Sequence, residues 1–235
     1  MARIGESLSV KIPACGRQAC DKSVYELHYK TMKIIIGLGN PGKEYEGTRH
    51  NVGFDFLNML IKHPRVNTIG RELIFKLNKK FQAEIAETQI AGDKYIFVKP
   101  RSFMNLSGKA VSQIVKFYKA DIDDLLVICD DLDLPLGMSR IRLSGSSGGQ
   151  KGLESIVKAL GSNQIARLRI GIADHKIGTA QIEHPYERPE AKVFVLGKFS
   201  SREKPVIEKM ITKVVDIIVD CLIGKKELTA TTFEV

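Results

Sequence analysis

The chain has 235 residues, 43% of them hydrophobic and 27% charged, which is the balance of an ordinary globular protein. Its formal net charge of +9 favours a polyanionic partner with phosphate groups, and a generally basic, solvated surface is the alternative. No apolar run is long enough to span a membrane, and the four cysteines lack metal-site spacing and suit free thiols in a reducing compartment.

The first 31 residues stand apart from the rest of the chain. They lack the apolar core of a secretory signal, and Met32 directly precedes the first convincing strand. We therefore expect residues 1–31 to be an N-terminal extension that is poorly ordered, or not native because translation begins at Met32. The intact mass of the native protein distinguishes these options, and residues 32–235 are expected to form the functional domain.

Strand and helix patterns alternate from Met32 onwards. Short apolar runs bounded by turn residues predict strands at 33–38, 124–129, 167–172 and 193–196, and Gly92-Asp93 predicts a hairpin between 81–90 and 95–98. Apolar residues at helical spacing predict helices over 52–61, 106–118, 153–160 and 203–223. This order predicts a single α/β domain with a twisted, mixed, largely parallel sheet and helices on both faces.

Polar segments follow several of these strands. Ligands of open α/β sheets bind outside the carboxyl ends of the strands, so Asn40, the segment 101–105, Asp130 and the glycine-rich segment 144–151 are expected to converge. His50 lies a few residues beyond the first strand. An imidazole in that place is suited to accept a proton near neutral pH.

Asp130 is the best candidate to orient His50, because a carboxylate can hold the ring tautomer and stabilise the imidazolium. Asp131 and Asp133 are its neighbours, and only one of the three needs to face the histidine. The alternatives for this cluster are a Mg²⁺ site and a plain acidic turn. Asn40 and Asn105 offer amide donors for a carbonyl or an oxyanion, or serve only as turn residues.

No serine or cysteine has the pattern of a nucleophile elbow, so water is the expected nucleophile. Alternate arginines on two predicted strands could present a surface that binds phosphates, or could simply be exposed strand residues; they are Arg140, Arg142, Arg167 and Arg169.

The segment 37–42 (GLGNPG) formally matches a dinucleotide fingerprint. Pro41 lacks the backbone N–H that a pyrophosphate would use, and the residues after Gly42 do not open a helix, so we disfavour that interpretation.

Five segments in order resemble bacterial peptidyl-tRNA hydrolase. They are GLGNPGKEYEGTRHNVGFDFL (37–57), KPRSFMNLSGKAV (99–111), DDLDLPLG (130–137), GSSGGQKGLESI (145–156) and RLRIGI (167–172). The resemblance runs through most of the chain from Met32. It implies hydrolysis of the ester between a peptide and the 3′ end of tRNA, in the cytoplasm, by a monomer that needs neither metal nor cofactor, with peptidyl-tRNA as the partner.

The same resemblance implies a role for each matching residue. His50 would activate the water and Asp130 would orient His50. Asn40, Tyr45, Met104, Asn105 and Lys151 would bind the substrate, and Arg142 and Arg169 would bind tRNA phosphate. Some organelle relatives of the family act in RNA splicing without hydrolysing tRNA, and this binding role is the alternative function.

Two departures from the family pattern bear on these roles. Gln150-Lys151 stands where the family usually has His-Asn, and lysine cannot accept a hydrogen bond. We expect slower turnover on short substrates and stronger salt dependence as a result. The segment 173–190 is longer than the usual connection over the cleft, and it could add tRNA contacts or be a disordered insertion.

Overall fold

The computed structural model describes residues 32–67, 72–173 and 189–235. The expected extension 1–31 lies outside the described residues. The same holds for nearly all of the long segment 173–190, of which only Ala173 and the first residues of a helix are described. No helix in these described ranges is long and apolar enough to cross a membrane.

Eight strands form one mixed sheet in the order β2-β3-β4-β1-β5-β7-β6-β8. The four central strands β4, β1, β5 and β7 are parallel, and antiparallel pairing adds β3 and β2 on one side and β6 and β8 on the other. The strands are β1 (Met32–Gly37), β2 (Lys76–Asn78), β3 (Ala83–Ile90), β4 (Asp93–Pro100), β5 (Leu125–Pro135), β6 (Met138–Arg142), β7 (Ala166–Ala173) and β8 (Thr232–Glu234).

Helices in the described ranges cover both faces of this sheet, as the sequence predicts. They are α1 (Val52–Lys62), α2 (Ser107–Tyr118), α3 (Lys151–Leu160), α4 (Pro189–Leu196) and α5 (Lys204–Leu222), although α4 was not among the predicted helices. Alternate residues of a strand point to opposite faces, so Ile35 packs with α1 and α5 while Ile34 and Ile36 pack with α2 and α3. Both faces of the central strands are therefore buried, which explains their continuous apolar sequences.

The predicted strand at 193–196 is wrong, because these residues end the helix α4. The N–H of Gly197 donates to the carbonyl of Val193 at 3.1 Å, which continues the helical pattern. Both sides of β7 are already paired, with β5 and β6, so this run has no place beside it. A four-residue apolar run does not distinguish a buried strand from a helical segment.

Two glycines set the position of α1 against the sheet. A Cβ atom on Gly53 would lie 2.6 Å from the backbone nitrogen of Leu38, and a Cβ on Gly37 would overlap the carbonyl of Gly53. The helix can approach the carboxyl end of β1 this closely only because neither residue has a side chain. As a result, the residues just before α1 lie at the edge of the sheet.

Asp55 on α1 makes stability depend on pH. Burial raises the pKa of its carboxyl to about 6, against the opposing attraction of Lys99, while Glu46 raises it further. In an acid with a raised folded-state pKa, the charged form is disfavoured by folding. The free energy of unfolding is therefore not reduced by Asp55 at low pH. It falls as the pH rises from 3.8, the pKa of Asp55 in the unfolded chain, through about 6, its pKa in the folded protein.

We expect Asp55→Asn to stabilise the protein increasingly as the pH rises. The difference in unfolding free energy between variant and wild type should grow by about 1–3 kcal/mol between pH 4 and pH 7.5. Urea unfolding at the two pH values measures this, with Asp123→Asn at an exposed position as the control. A difference that stays constant with pH would contradict the assignment.

Candidate active site

The predicted polar segments meet at the carboxyl edge of the parallel strands. The segment 38–51 follows β1, and its last three residues, Arg49–Asn51, form a short 3₁₀ helix that leads directly into α1. The segment 101–106 follows β4. The glycine loop, residues 144–150, follows the antiparallel strand β6 and returns along the sheet to the start of α3.

His50 and Asp130 form the centre of this arrangement. The ring Nδ1 of His50 lies 2.8 Å from Oδ2 of Asp130. His50 is 8% exposed and Asp130 only 1%, so the pair is shielded from bulk water. An ionised carboxylate only accepts hydrogen bonds, so Nδ1 carries the proton and Nε2 remains free to accept one.

The position of Asp130 in its strand explains why it, and not a neighbour, faces the histidine. The strand β5 continues to Pro135 because β7 pairs with it as far as Ala173, so Asp130 lies inside the strand and not after it. Successive strand residues point to opposite faces. Asp130 therefore lies on the α1 side with His50, whereas Asp131 accepts a hydrogen bond from Arg169 at 3.2 Å.

Burial raises the pKa of both neighbouring carboxyls, and Arg169 opposes this at each of them. Asp131 also accepts the backbone N–H of Asp133 at 2.8 Å, so it stabilises the turn that follows. The described ranges contain no group of three or more His, Cys, Asp or Glu side chains that could hold a metal ion. The expectation of a metal-free and cofactor-free site remains a prediction.

Asn40 is held rigidly between two elements. Its backbone N–H donates to Oδ1 of Asn51 at 2.8 Å, and its carbonyl accepts from Nδ2 of Asn51 at 3.0 Å. Its side-chain Oδ1 accepts the backbone N–H of Met104 at 2.9 Å. Because an N–H can only donate, this contact determines which end of the amide is the oxygen, and Nδ2 is left with no acceptor among the described residues.

The other predicted substrate residues surround this centre at different depths. Met104 is 5% exposed, with its sulfur 3.4 Å from Nε2 of Gln150. Tyr45 is half-buried at the end of a 3₁₀ helix, and Asn105 is exposed. Lys151 is the first residue of α3, also exposed, with Nζ 3.5 Å from Glu154.

The arginines of β6 and β7 do not form one exposed surface. Arg167 is 0% exposed, and its guanidinium donates to four backbone carbonyls, those of Gly145, Ser146, Asn163 and Ile165. Arg169 donates to Ser146 at 2.8 Å as well as to Asp131. These two arginines organise the glycine loop, because main-chain carbonyls that would otherwise lack partners bind them.

Arg142 is exposed, unlike Arg167, its antiparallel partner. The partner of Asp130 on β7 is Ile170, three residues from Arg167. Three residues of strand span about 10 Å, so Arg142 lies at the periphery of the site. That Arg142 and Arg169 bind tRNA phosphate stays a prediction.

The segment 37–42 lacks the geometry of a dinucleotide site. Gly42 leads into a 3₁₀ helix over Lys43–Tyr45, and α1 begins only at Val52. The third glycine therefore does not open a helix whose N-terminus could bind a pyrophosphate. Gly39 has another use: a Cβ there would lie 2.8 Å from the ring of Phe54.

Three structural partners of the site had no assigned role in the sequence. Asn51 holds the backbone of Asn40, and Gln150 bonds to Asp130 at 3.0 Å. Arg49 donates to both carboxylate oxygens of Glu203 at 2.9 Å and lies 4.3 Å from the ring centre of Phe194. Arg49 and Asn51 adjoin His50 in the sequence, but the partner of Arg49 lies 154 residues away and that of Asn51 lies 11 residues away, so only the fold identifies these contacts.

Comparison with known proteins gives a consistent family. The family model described as peptidyl-tRNA hydrolase matches residues 34–234. The chain is 41% identical over 181 residues to the peptidyl-tRNA hydrolase of Staphylococcus saprophyticus, covering 77% of this chain and 85% of that protein. It is 44% identical over 177 residues to that of Carboxydothermus hydrogenoformans, covering 75% and 84%.

A solved structure supports the same relationship. The crystal structure of peptidyl-tRNA hydrolase from Acinetobacter baumannii superposes with a TM-score of 0.70 at 32% sequence identity, covering 83% of this chain and 90% of that one. The relationship thus extends from sequence to fold, over nearly the whole of the matched proteins. This chain belongs to the peptidyl-tRNA hydrolase family.

Proposed function

We propose that the chain hydrolyses the ester bond between a peptide and the 3′ end of tRNA, using water activated by His50. The observation that carries the proposal is the buried pair of His50 and Asp130, 2.8 Å apart, at the edge of the sheet in a member of this family. The matched relatives carry the name of hydrolases, and no observation on this chain favours the splicing alternative.

The tautomer of His50 supports its role as the base. With the proton on Nδ1 bound to Asp130, Nε2 accepts a proton from a water molecule as that water attacks the ester carbonyl. Asp130 stabilises the imidazolium that forms. When the tetrahedral intermediate breaks down, the proton moves from Nε2 to the 3′ oxygen of the ribose and the ester C–O bond breaks. The products are free tRNA and a peptide carboxylic acid, which releases its proton to solvent as the carboxylate.

Asn40 supplies the donor that the intermediate requires. Its Oδ1 is occupied by the N–H of Met104, so Nδ2 is the end of the amide available to the substrate. A pre-oriented N–H donor stabilises an oxyanion because it needs no reorganisation as the charge develops. We assign Asn40 to the carbonyl oxygen of the substrate, and Asn105, Tyr45 and Met104 to the surrounding cleft.

Basic residues beyond the dyad, which is the pair of His50 and Asp130, are assigned to bind the tRNA. Lys151 and Arg142 are exposed, and Arg169 lies between the glycine loop and Asp131. The net charge of +9 suits a polyanion. We further propose that residues 32–235 act as one catalytic domain, that the protein is a monomer, and that it works in the cytoplasm where translation takes place.

Single-turnover hydrolysis of N-acetyl-aminoacyl-tRNA, with a chelator present, tests the proposal. We expect cleavage of the ester bond, which releases free tRNA and the N-acetyl-amino acid. A filter-binding measurement with the same tRNA runs in parallel. Binding without cleavage would overturn the hydrolase assignment and favour a binding role.

The substitution Lys151→Asn should change both salt dependence and turnover. Removing one cation that contacts a phosphate lowers the slope of log affinity against log salt by about 0.7–0.9. Turnover of a short substrate should rise, because asparagine can both donate and accept hydrogen bonds. Affinity and single-turnover rate measured across a salt series would show this.

The matched control for this prediction is Lys158→Asn. Lys158 lies on the same helix and contacts the same Glu154, at 2.6 Å, but about two turns further along the helix from the site. If Lys151→Asn left both the rate and the salt slope at wild-type values, Lys151 would have no part in binding the substrate.

A further inference from the structure

Gln150 links the start of α3 to the carboxylate of Asp130. It is 2% exposed and is the N-cap residue of α3. Its Oε1 accepts the backbone N–H of Leu153 at 2.7 Å, and its Nε2 donates to Oδ1 of Asp130 at 3.0 Å. One side chain thus satisfies a helix terminus and a buried carboxylate together.

The orientation of the Gln150 amide follows from its two partners. The N–H of Leu153 can only donate, so it must face the oxygen of the amide, and the NH₂ group must then face Asp130. Asp130 therefore receives Gln150 on Oδ1 and His50 on Oδ2. A carboxylate held at both oxygens has less freedom to rotate away from the imidazole.

The glycine loop that leads to Gln150 is held in place by two arginines of the sheet. Arg167 donates to the carbonyls of Gly145 and Ser146, and Arg169 donates to that of Ser146. Gly148 and Gly149 have positive φ angles of 59° and 77°, which let the loop turn into α3. The position of Gln150 is thus determined by contacts that do not involve the substrate.

We propose that Gln150 is a positioning residue that orients Asp130, and through it holds His50 in the tautomer that accepts a proton from water. This inference rests on the proposed function. Gln150 does not touch the reacting atoms. Its amide stays neutral at every working pH, so the dyad gains a constant donor and no additional titrating group.

The other ionisable groups near the dyad have partners of their own. On β5 and β7, Asp131 is paired with Arg169, and the buried Cys129 thiol has a pKa raised by burial. On the element before α1, Arg49 is paired with Glu203, and on α3 Lys151 is paired with Glu154. A new charge at position 150 would therefore act on His50 chiefly through Asp130.

The substitution Gln150→Glu separates the two functions of this side chain. A glutamate has the same shape and can still accept the N–H of Leu153, but when ionised it cannot donate to Asp130. Two adjacent carboxylates raise the pKa of a neighbouring imidazole. We expect the pKa of His50, measured by NMR in the free protein, to rise by about one unit, with a second inflection from the carboxylate pair.

The second variant, Gln150→Ser, retains a good N-cap but is too short to reach Asp130. We expect the thermal stability of this variant to stay near that of wild type. Its kcat should fall about tenfold, because a hydrogen bond to a charged group is lost, and its KM should remain unchanged. Gln150→His can present a ring N–H to Asp130 and should recover part of the lost kcat. Gln89→Glu, an exposed site at the opposite end of the sheet, is the matched control and should leave the rate and the pKa unchanged.

The NMR titration reports on the position of Asp130 whether or not the protein cleaves tRNA, so it separates this inference from the proposed function. A titration curve of His50 in Gln150→Glu that coincides with wild type would overturn the inference. So would a kcat of Gln150→Ser equal to that of wild type, even if hydrolysis itself is confirmed. If Gln150→Glu does not fold, the kcat and KM of Gln150→Ser decide the question.

Discussion

Replacing His50 by alanine should lower the single-turnover rate of N-acetyl-aminoacyl-tRNA cleavage by about a hundredfold or more, the usual contribution of a general base. Alanine removes the only group we assign to accept the proton of the attacking water. Affinity for tRNA should stay at the wild-type level, because the phosphate contacts are assigned to Arg142, Lys151 and Arg169. Rapid-quench kinetics with a chelator present, together with filter binding, measures both.

The fold provides a matched control in His63→Ala. His63 lies just beyond the C-terminal end of α1 and has its own carboxylate partner, since Nε2 is 3.2 Å from Oδ1 of Asp216. This second His–Asp pair is at the opposite end of the helix from His50, and its loss should leave the rate unchanged. If His50→Ala kept a rate close to wild type, the water would have to be activated by another group.

Asp130→Asn should be almost as damaging, although it changes a single atom. The Nδ1–H of His50 and the Nε2 of Gln150 both donate to Asp130, and an asparagine has only one oxygen to receive these two donors. If its NH₂ group faces His50, the ring must place its proton on Nε2 and can no longer act as a base. We expect a loss in kcat of about 10²–10⁴, with little change in KM.

Nitrogen chemical shifts of His50 would reveal this change of tautomer directly. Asp133→Asn makes the same substitution three residues further along β5, on an exposed side chain. It should keep wild-type kinetics. An Asp130→Asn protein with normal kcat would show that orientation of His50 does not depend on the carboxylate.

The sequence predicts the fold because its strongest patterns are local. The strand β1 is a run of isoleucines between turn residues, and α5 repeats apolar residues at helical spacing over 19 residues. The failure at 193–196 has the same origin, since four apolar residues are too few to show a period. There the neighbours decide: β7 already has a partner on each side, and the chain packs as α4.

The candidate pair of His50 and Asp130 could also be proposed from the sequence, because each residue follows a predicted strand and the carboxyl ends of parallel strands meet at one edge of a sheet. The choice among the three aspartates could not. That choice depends on which face of the strand each residue occupies, because successive residues alternate between faces: Asp130 contacts His50 and Asp131 contacts Arg169. The start of the strand in the sequence does not show how far β5 and β7 stay paired.

The sequence alone determined the α/β class, the central strands, the helices α1, α2, α3 and α5, and the identity of the groups that can carry the chemistry. Only the tertiary structure decided which of those groups face one another. From the sequence, Arg167 is expected at the surface, but it is fully buried against backbone carbonyls. Gln150 is expected to be an ordinary loop residue, but it contacts Asp130. Propensity acts over a few neighbouring residues, whereas these contacts join parts of the chain that only the packing of the sheet brings together.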